Sequence, residues 1–256
     1  MRLNKIYLGD CLKAMQRIPD GSIDMVLTDP PYGTTDCKWD SVVPLVPMWE
    51  QLKRIIKPEG AIVMTASQPF TTTLISSNIK MFKYCWVWEK DKPTNFALAN
   101  KQPMKYHEDV VVFYSKQPAY NKEMIPRTGS GSERFKYGVD HSNRIQQGKS
   151  KSDSTKNGIT FYNKNMKNPS TIIKFSTGRR QNSVHPTQKP VALMEYLIKT
   201  YTNEGDTLLD FTAGSGTTGI AAQNLKRNFI LIEKDKEYWK LANSRLRQNA
   251  KRLKNG

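Results

Sequence analysis

Short apolar runs bounded by turn residues recur along the chain: KIYLGD (5–10), SIDMVLTD (22–29), GAIVMTAS (60–67), KYCWVWEK (83–90), EDVVVFYS (108–115), DTLLDF (206–211) and NFILIEK (228–234). They suit strands, and several lack polar alternates, as strands buried on both faces do. Between them lie stretches of helical spacing: DCLKAMQRI, PLVPMWEQLKRIIK, PVALMEYLIKTY and TTGIAAQNLKR. In the third, Leu193, Tyr196, Leu197 and Tyr201 fall at i, i+3, i+4 and i+8. The C-terminal EYWKLANSRLRQNAKRLKNG reads as one helix with Tyr238, Leu241, Ala242 and Leu246 inward. Strands alternating with helices predict an α/β fold, a mostly parallel sheet covered on both faces. No helical pattern separates the fourth run from the fifth, so one sheet edge is expected to be antiparallel.

The pattern fails over residues 116–182, where Lys, Ser, Asn and Gly dominate and no apolar period survives. Aromatic residues are interleaved there: Tyr120, Phe135, Tyr137, Phe161, Tyr162 and Phe175. Such composition suits either disorder or an inserted nucleic-acid-contacting module. Charge favours the second. The chain of 256 residues carries net +17, from 40 Lys+Arg against 23 Asp+Glu. Residues 116–182 hold 14 basic and 4 acidic residues, and residues 234–256 hold 8 and 2. Almost all the excess sits in these two stretches, which points to a polyanionic partner. The expected organisation is therefore 1–115, an insert at 116–182, and 183–256.

Cys11, Cys37 and Cys85 are odd in number and far apart, which argues against a disulfide framework or a zinc site. The first residues lack an apolar leader, and no run approaches the roughly 18 apolar residues of a membrane span. The expectation is a cytoplasmic protein with no membrane partner.

Two stretches carry candidate chemistry. Asp29-Pro30-Pro31-Tyr32 follows a strand that the prolines forbid from continuing, so an acid, a carbonyl and a ring are presented on a stiffened turn. In residues 206–235 a strand ends at Asp210, a loop with Gly214 and Gly216 follows, a helix starts near Thr217, and the next strand ends in Glu233. Small residues allow close backbone approach, the helix start offers free N–H groups, and an acid at the next strand's end suits a ribose. A nucleoside-bearing cofactor is expected there. Both stretches follow strands, so both can face the crevice above the sheet. An acid-Pro-Pro-ring turn beside such a cofactor reads as a transfer site.

Taken together, these blocks resemble the amino-methylating DNA methyltransferases of the β-class order, catalytic turn first and cofactor loop last. LGDCLKAMQRIPDGSIDMVLTDPPYG (8–33) matches the opening block, and LKRIIKPEGAIVM, MKYHEDVVVFYSK and HPTQKPVALMEYLI (185–198) follow in order before the glycine loop. The likeness covers nearly everything outside 116–182. One departure is Asp210-Phe211-Thr212, where the family usually reads Asp-Pro-Phe.

The resemblance implies a Rossmann-like methyltransferase fold with circularly permuted motif order and an inserted basic target-recognition region. It implies S-adenosylmethionine as cofactor, no metal, and double-stranded DNA as substrate partner. Asp29 and the Pro30 carbonyl would accept the two N–H bonds of a flipped base's amine, with Pro31 stiffening the turn and Tyr32 stacking on the base. Asp10 and Cys11 would lie near the cofactor adenine. Phe211, Thr212, Gly214, Ser215, Gly216, Thr217 and Thr218 would cradle its methionine half, Glu233 would hold the ribose, and Thr187 and Lys189 are further cofactor candidates. Plainer roles stand beside these: Asp10 as a helix cap, Cys11 as core, Asp210 as a loop organiser, His185 as a turn residue and His107 as structural. Trp39 and Asp40 fit either a loop over the base pocket or ordinary packing. Asp rather than Ser at position 29 leans towards adenine N6 over cytosine N4. An RNA or protein-amide substrate, or a non-catalytic DNA-binding module, are the other readings. A homodimer and a cognate restriction endonuclease are partners to test for.

Overall fold

The structure is a computed structural model and describes residues 1–34, 41–126, 166–177 and 188–255. Chain contacts divide it into two units, Met1–Asn121 with Thr171–Gly256, and Lys122–Ser170. Described parts of the second unit are strands β6 (Ile125–Pro126) and β7 (Met166–Lys167), paired antiparallel. The rings at Phe135, Tyr137, Phe161 and Tyr162 lie outside the described residues.

Among the described residues, the first unit is built on one eight-stranded sheet. Its strands are β1 (Lys5–Leu8), β2 (Ile23–Thr28), β3 (Ile56–Ala66), β4 (Phe82–Thr94), β5 (Lys105–Phe113), β8 (Ile172–Lys174), β9 (Thr207–Asp210) and β10 (Asn228–Glu233). They lie in the order β1-β10-β9-β2-β3-β5-β4-β8. All neighbours are parallel except β3 with β5 and β5 with β4. The expected fold class is the one observed. The antiparallel pair is present, but it is not the edge: Ile172–Lys174, in the stretch read as insert, adds a parallel strand outside β4. Of the rings in that stretch, Tyr120 and Phe175 pack against Tyr201 and Tyr196 at centroid distances of 6.5 and 5.6 Å, and Tyr120 stays 39% exposed.

Both faces are covered, which explains the uninterrupted apolar strands. Alternate residues face opposite layers. Val63, Val110, Val112 and Leu231 face helices α4 (Val191–Tyr201), α5 (Thr217–Asn224) and α6 (Lys236–Asn255). Ile62, Met64, Val111, Phe113 and Ile232 face α1 (Cys11–Met15), α2 (Leu45–Ile55) and α3 (Phe70–Ser77). Helix α2 buries Met48, Trp49, Leu52 and Ile55, one stripe at helical spacing. Helix α5 is buried over most of its length, whereas α6 buries only Ala242 and Leu246 and carries its charges outward. Among the described residues, no helix is long and apolar enough to cross a membrane.

Helix α3 had no counterpart in the hydrophobic pattern. Its sequence FTTTLISS is rich in β-branched and hydroxyl residues, which are poor helix formers. Burial of Phe70, Thr71 and Leu74 under the sheet overrides that preference.

Candidate active site

The site lies where the sheet's winding reverses. From β9 the chain crosses through α5 to β10 on one side, and from β2 through α2 to β3 on the other, while β9 and β2 are themselves neighbours. The loops leaving two adjacent parallel strands then part to opposite faces and leave a crevice at their carboxyl ends. Register makes the meeting specific. Met25 pairs with Leu208 and Val26 with Leu209, so the turn at 29–32 and the loop at 211–216 start side by side.

Hydroxyl groups join the two. The Thr28 Oγ1 donates to Asp210 Oδ1 at 2.7 Å and lies 2.6 Å from Thr212 Oγ1. Thr212 donates in turn to the Asp29 carbonyl at 3.2 Å. The departure at Thr212 thus places a hydroxyl where it reaches the Asp29 turn, while Phe211 is 1% exposed in the core. Asp210 is fully buried, and burial first of all pushes its carboxyl up to about 6 against the hydrogen bonds of Thr218, Thr28 and Thr212.

A cavity of about 680 Å³ opens here. Its walls bring together Asp29, Pro30, Pro31 and Tyr32; Asp10 and Cys11; Phe211, Thr212, Gly214, Ser215, Thr217 and Thr218; and Glu233 and Lys189. Thr187, His185, Trp39 and Asp40 lie outside the described residues. Gly216 is not among the lining residues. With φ +79°, a Cβ there would stand 2.9 Å from the Ala242 Cβ, so glycine at 216 serves the packing of α6. Gly214, with φ +50°, faces no protein atom within 4 Å of an added Cβ.

Glu233 accepts from the Gly214 N–H and the Asp235 N–H, both at 2.7 Å, one on each oxygen. The Lys234 N–H also bonds Glu233, and an ionised carboxylate has about four acceptor positions, so about one is left for a ligand donor. Burial raises the Glu233 pKa. Asp10 caps α1 by accepting from Lys13 N–H at 3.1 Å and still lines the cavity, so its two readings are compatible. Burial, then Asp10, pushes the Cys11 thiol up to about 11, leaving it a neutral wall rather than a nucleophile.

At the opposite end Asp29 is densely held. Tyr32 donates to Oδ1 at 2.7 Å, Thr65 donates to the same oxygen, and the Lys189 ammonium donates to Oδ2 at 2.8 Å. Tyr32 stacks on Phe70 at 5.4 Å with 22° between ring planes. The tyrosine is therefore a strut for Asp29 as well as a ring surface. Lys189, expected with the cofactor residues, lines the same cavity and places its ammonium between Asp29 Oδ2 and Glu108 Oε2, the latter 3.1 Å away. Lys90, also buried, holds Glu108 Oε1 at 3.1 Å. Burial alone would lower the Lys189 pKa; Asp29, Tyr32 and Glu108 outweigh it and hold it well above the usual lysine value. Burial would raise Glu108, and the two lysines more than reverse that. For Tyr32 burial and then Asp29 push the phenol well above 10. Thr65, Phe70, Lys90 and Glu108 went unrecognised in the sequence. Each reads locally as strand or helix filler, and only Lys90 and Glu108, charged residues ending or opening apolar runs, left any signal.

With this geometry in view, the comparisons are decisive. A family model for DNA methylases, N6_N4_Mtase, matches residues 23–244. The chain belongs to the N6/N4 DNA methylase family. Members of similar sequence include the Type II methyltransferase M.HpaI of Haemophilus parainfluenzae, 26% identical over 94% of this chain and 74% of that protein. Another is M1.MboII of Moraxella bovis, 25% identical over 97% of this chain and 98% of that protein. Among solved structures, the cytosine-N4-specific PvuII DNA methyltransferase aligns with a TM-score of 0.65 at 17% identity over 98% of this chain and 93% of that one.

Proposed function

We propose that this chain transfers a methyl group from S-adenosylmethionine to the exocyclic N6 amine of an adenine flipped out of duplex DNA. One observation carries the reading: the Asp29 carboxylate and Pro30 share a cavity with the glycine loop, and the Thr28–Asp210–Thr212 hydroxyl bridge fixes the two stretches to each other.

The cofactor fits the residues present. Glu233 keeps an acceptor position for a ribose hydroxyl, Gly214 leaves its side of the loop open, and Asp10 and Cys11 stand nearby as a helix-capping acid and a neutral thiol. Phe211, Thr212, Ser215, Thr217 and Thr218 complete the cradle on this reading, whereas Lys189 is assigned to Asp29. When bound, S-adenosylmethionine supplies an electrophilic methyl group on a positive sulfur.

The protein's own work is to prepare the amine. An aromatic amine has its lone pair delocalised into the base, which makes it a poor nucleophile. Asp29 and the Pro30 carbonyl accept its two N–H bonds and draw the lone pair out of the ring. Fixed acceptors of this kind stabilise the positive charge that develops on the nitrogen without reorganising during the reaction. Pro30 and Pro31 hold the turn still, and Tyr32 braces Asp29 while its ring borders the base. Extruding the base costs a few kcal/mol. Phosphate contacts from the basic residues of 116–182 offset that cost, so binding weakens steeply with salt. Asp at position 29 favours adenine. Methylation of the cytosine N4 amine is the second reading, and the acceptor pair serves it equally.

Nucleoside mass spectrometry of unmethylated plasmid DNA incubated with the purified protein and S-adenosylmethionine tests the proposal. N6-methyladenine is the expected product. N4-methylcytosine would move the target base and keep the mechanism. No methylated nucleoside on any of several plasmids, with cofactor binding demonstrated by calorimetry, would reject DNA as substrate.

A further inference from the structure

The charges beside Asp29 exceed what an acceptor pair needs. Lys189 is 8% exposed and Lys90 5%, and each is held by carboxylates in the cavity wall. The turn after β2, strands β4 and β5 and the segment entering α4 each supply one of the four charged groups. No local requirement of the chain brings them together. A buried ion-pair chain is weak as a source of stability, because well-packed apolar residues of similar volume commonly do as well. Its position in the wall of a transfer site points to the site.

Asp29 Oδ1 accepts from the hydroxyls of Tyr32 and Thr65, whereas among the described residues Oδ2 accepts from Lys189 alone. With about two acceptor positions per oxygen, the position left for an incoming amine is on Oδ2, beside the ammonium. We propose that Lys189 is a positioning residue for methyl transfer: anchored by Glu108, which Lys90 secures from behind, its ammonium fixes Oδ2 of Asp29 so that the remaining lone pair meets the target amine. This inference rests on the methyl-transfer reading above.

The arrangement has a consequence in pH. Asp29 is surrounded by Tyr32 from its own turn, Thr65 from β3, Lys189 and Glu108, with Lys90 beyond Glu108 and Asp210 across the hydroxyl bridge. Without the ammonium, the Asp29 and Glu108 carboxylates face each other with no cation between them. Like charges at short range make a carboxylate harder to ionise. The acid limb of turnover must then move to higher pH.

The test uses the full chain in two forms, Lys189→Met and the charge-balanced Glu108→Gln/Lys189→Met, with wild type in the same plasmid methylation assay. For Lys189→Met, kcat is expected to fall about 100-fold, the cost of a misplaced catalytic group. Its acid limb is expected to rise by about one pH unit. The Kd for S-adenosylmethionine, measured by calorimetry, should stay within about threefold, because Lys189 acts on Asp29 and not on the cofactor. In the double variant the limb returns towards wild type while kcat stays low; if the single variant does not fold, the double variant decides by kcat and cofactor Kd, and a near-normal kcat in it overturns the role. Near-normal kcat, a low kcat with an unmoved acid limb in Lys189→Met, or a cofactor affinity that falls in step would each overturn the positioning role. An inactive wild type would overturn the methyl-transfer reading, and the positioning role with it.

Discussion

The two ends of the cavity hold their acids by different means. Asp29 is fixed by side chains: a phenol, a threonine hydroxyl and an ammonium drawn from distant parts of the chain. Glu233 is fixed by main-chain N–H groups of Gly214 and Asp235, both close on the local fold. Backbone donors come with any sequence that makes the same loop, so the Glu233 end is specified by conformation. The Asp29 end depends on particular side chains, and one lost partner leaves a buried charge without its counterpart. That contrast suits a site in which one end recognises a ligand common to many enzymes and the other aims a carboxylate at a reacting atom.

Removing the aimed carboxylate should have the largest effect. Asp29→Ala is expected to lower kcat by about 10²- to 10³-fold, the range found for preorganised groups at a developing charge. Cofactor affinity should change little. Radiolabelled methyl transfer and calorimetry on the same preparation decide it, and a turnover within tenfold of wild type would remove Asp29 from the chemistry. At the other end Glu233→Ala should act on binding. Losing hydrogen bonds from a charged acceptor costs roughly 1.5–3 kcal/mol, or about 10- to 100-fold in cofactor Kd. Turnover at saturating cofactor should stay within a few-fold. An unchanged Kd would mean that Glu233 only shapes the loop.

Asp210, between the two ends, should show the smallest effect, and in stability rather than turnover. Its folded pKa is raised from an ordinary 3.8 to about 6, chiefly by burial. The folded state therefore holds the proton more tightly than the unfolded chain. The stabilising contribution is complete below pH 3.8 and is lost as pH rises through about 6. Asp210→Asn keeps an acceptor for Thr28 and removes the ionisation. Urea unfolding should show the variant gaining on wild type by roughly 1–2 kcal/mol between pH 5 and pH 8. Parallel stability curves would mean that the carboxyl is not penalised by its burial.

What the sequence determined by itself is the alphabet of the fold and both ends of the site. Apolar runs marked β1–β5, β9 and β10 because a sheet covered on both faces leaves no polar alternates in its central strands. The prolines at 30 and 31 announced a turn because they cannot continue a ladder, and Gly214 and Gly216 announced a tight loop before a helix. These are local constraints of backbone chemistry, readable residue by residue. Tertiary structure decided the rest. Helix α3 exists because the sheet buries Phe70 and Leu74, against the preference of FTTTLISS. The edge strand β8 forms because its backbone finds β4, which no periodicity in three residues can announce. Sheet order and the segment entering α4 bring Lys189 to Asp29 and Glu108, with Lys90 behind Glu108, and so put residues 160 positions apart in hydrogen-bond contact. Charge pairing of that kind is a property of distances in space, and along the chain those residues show only that they are charged.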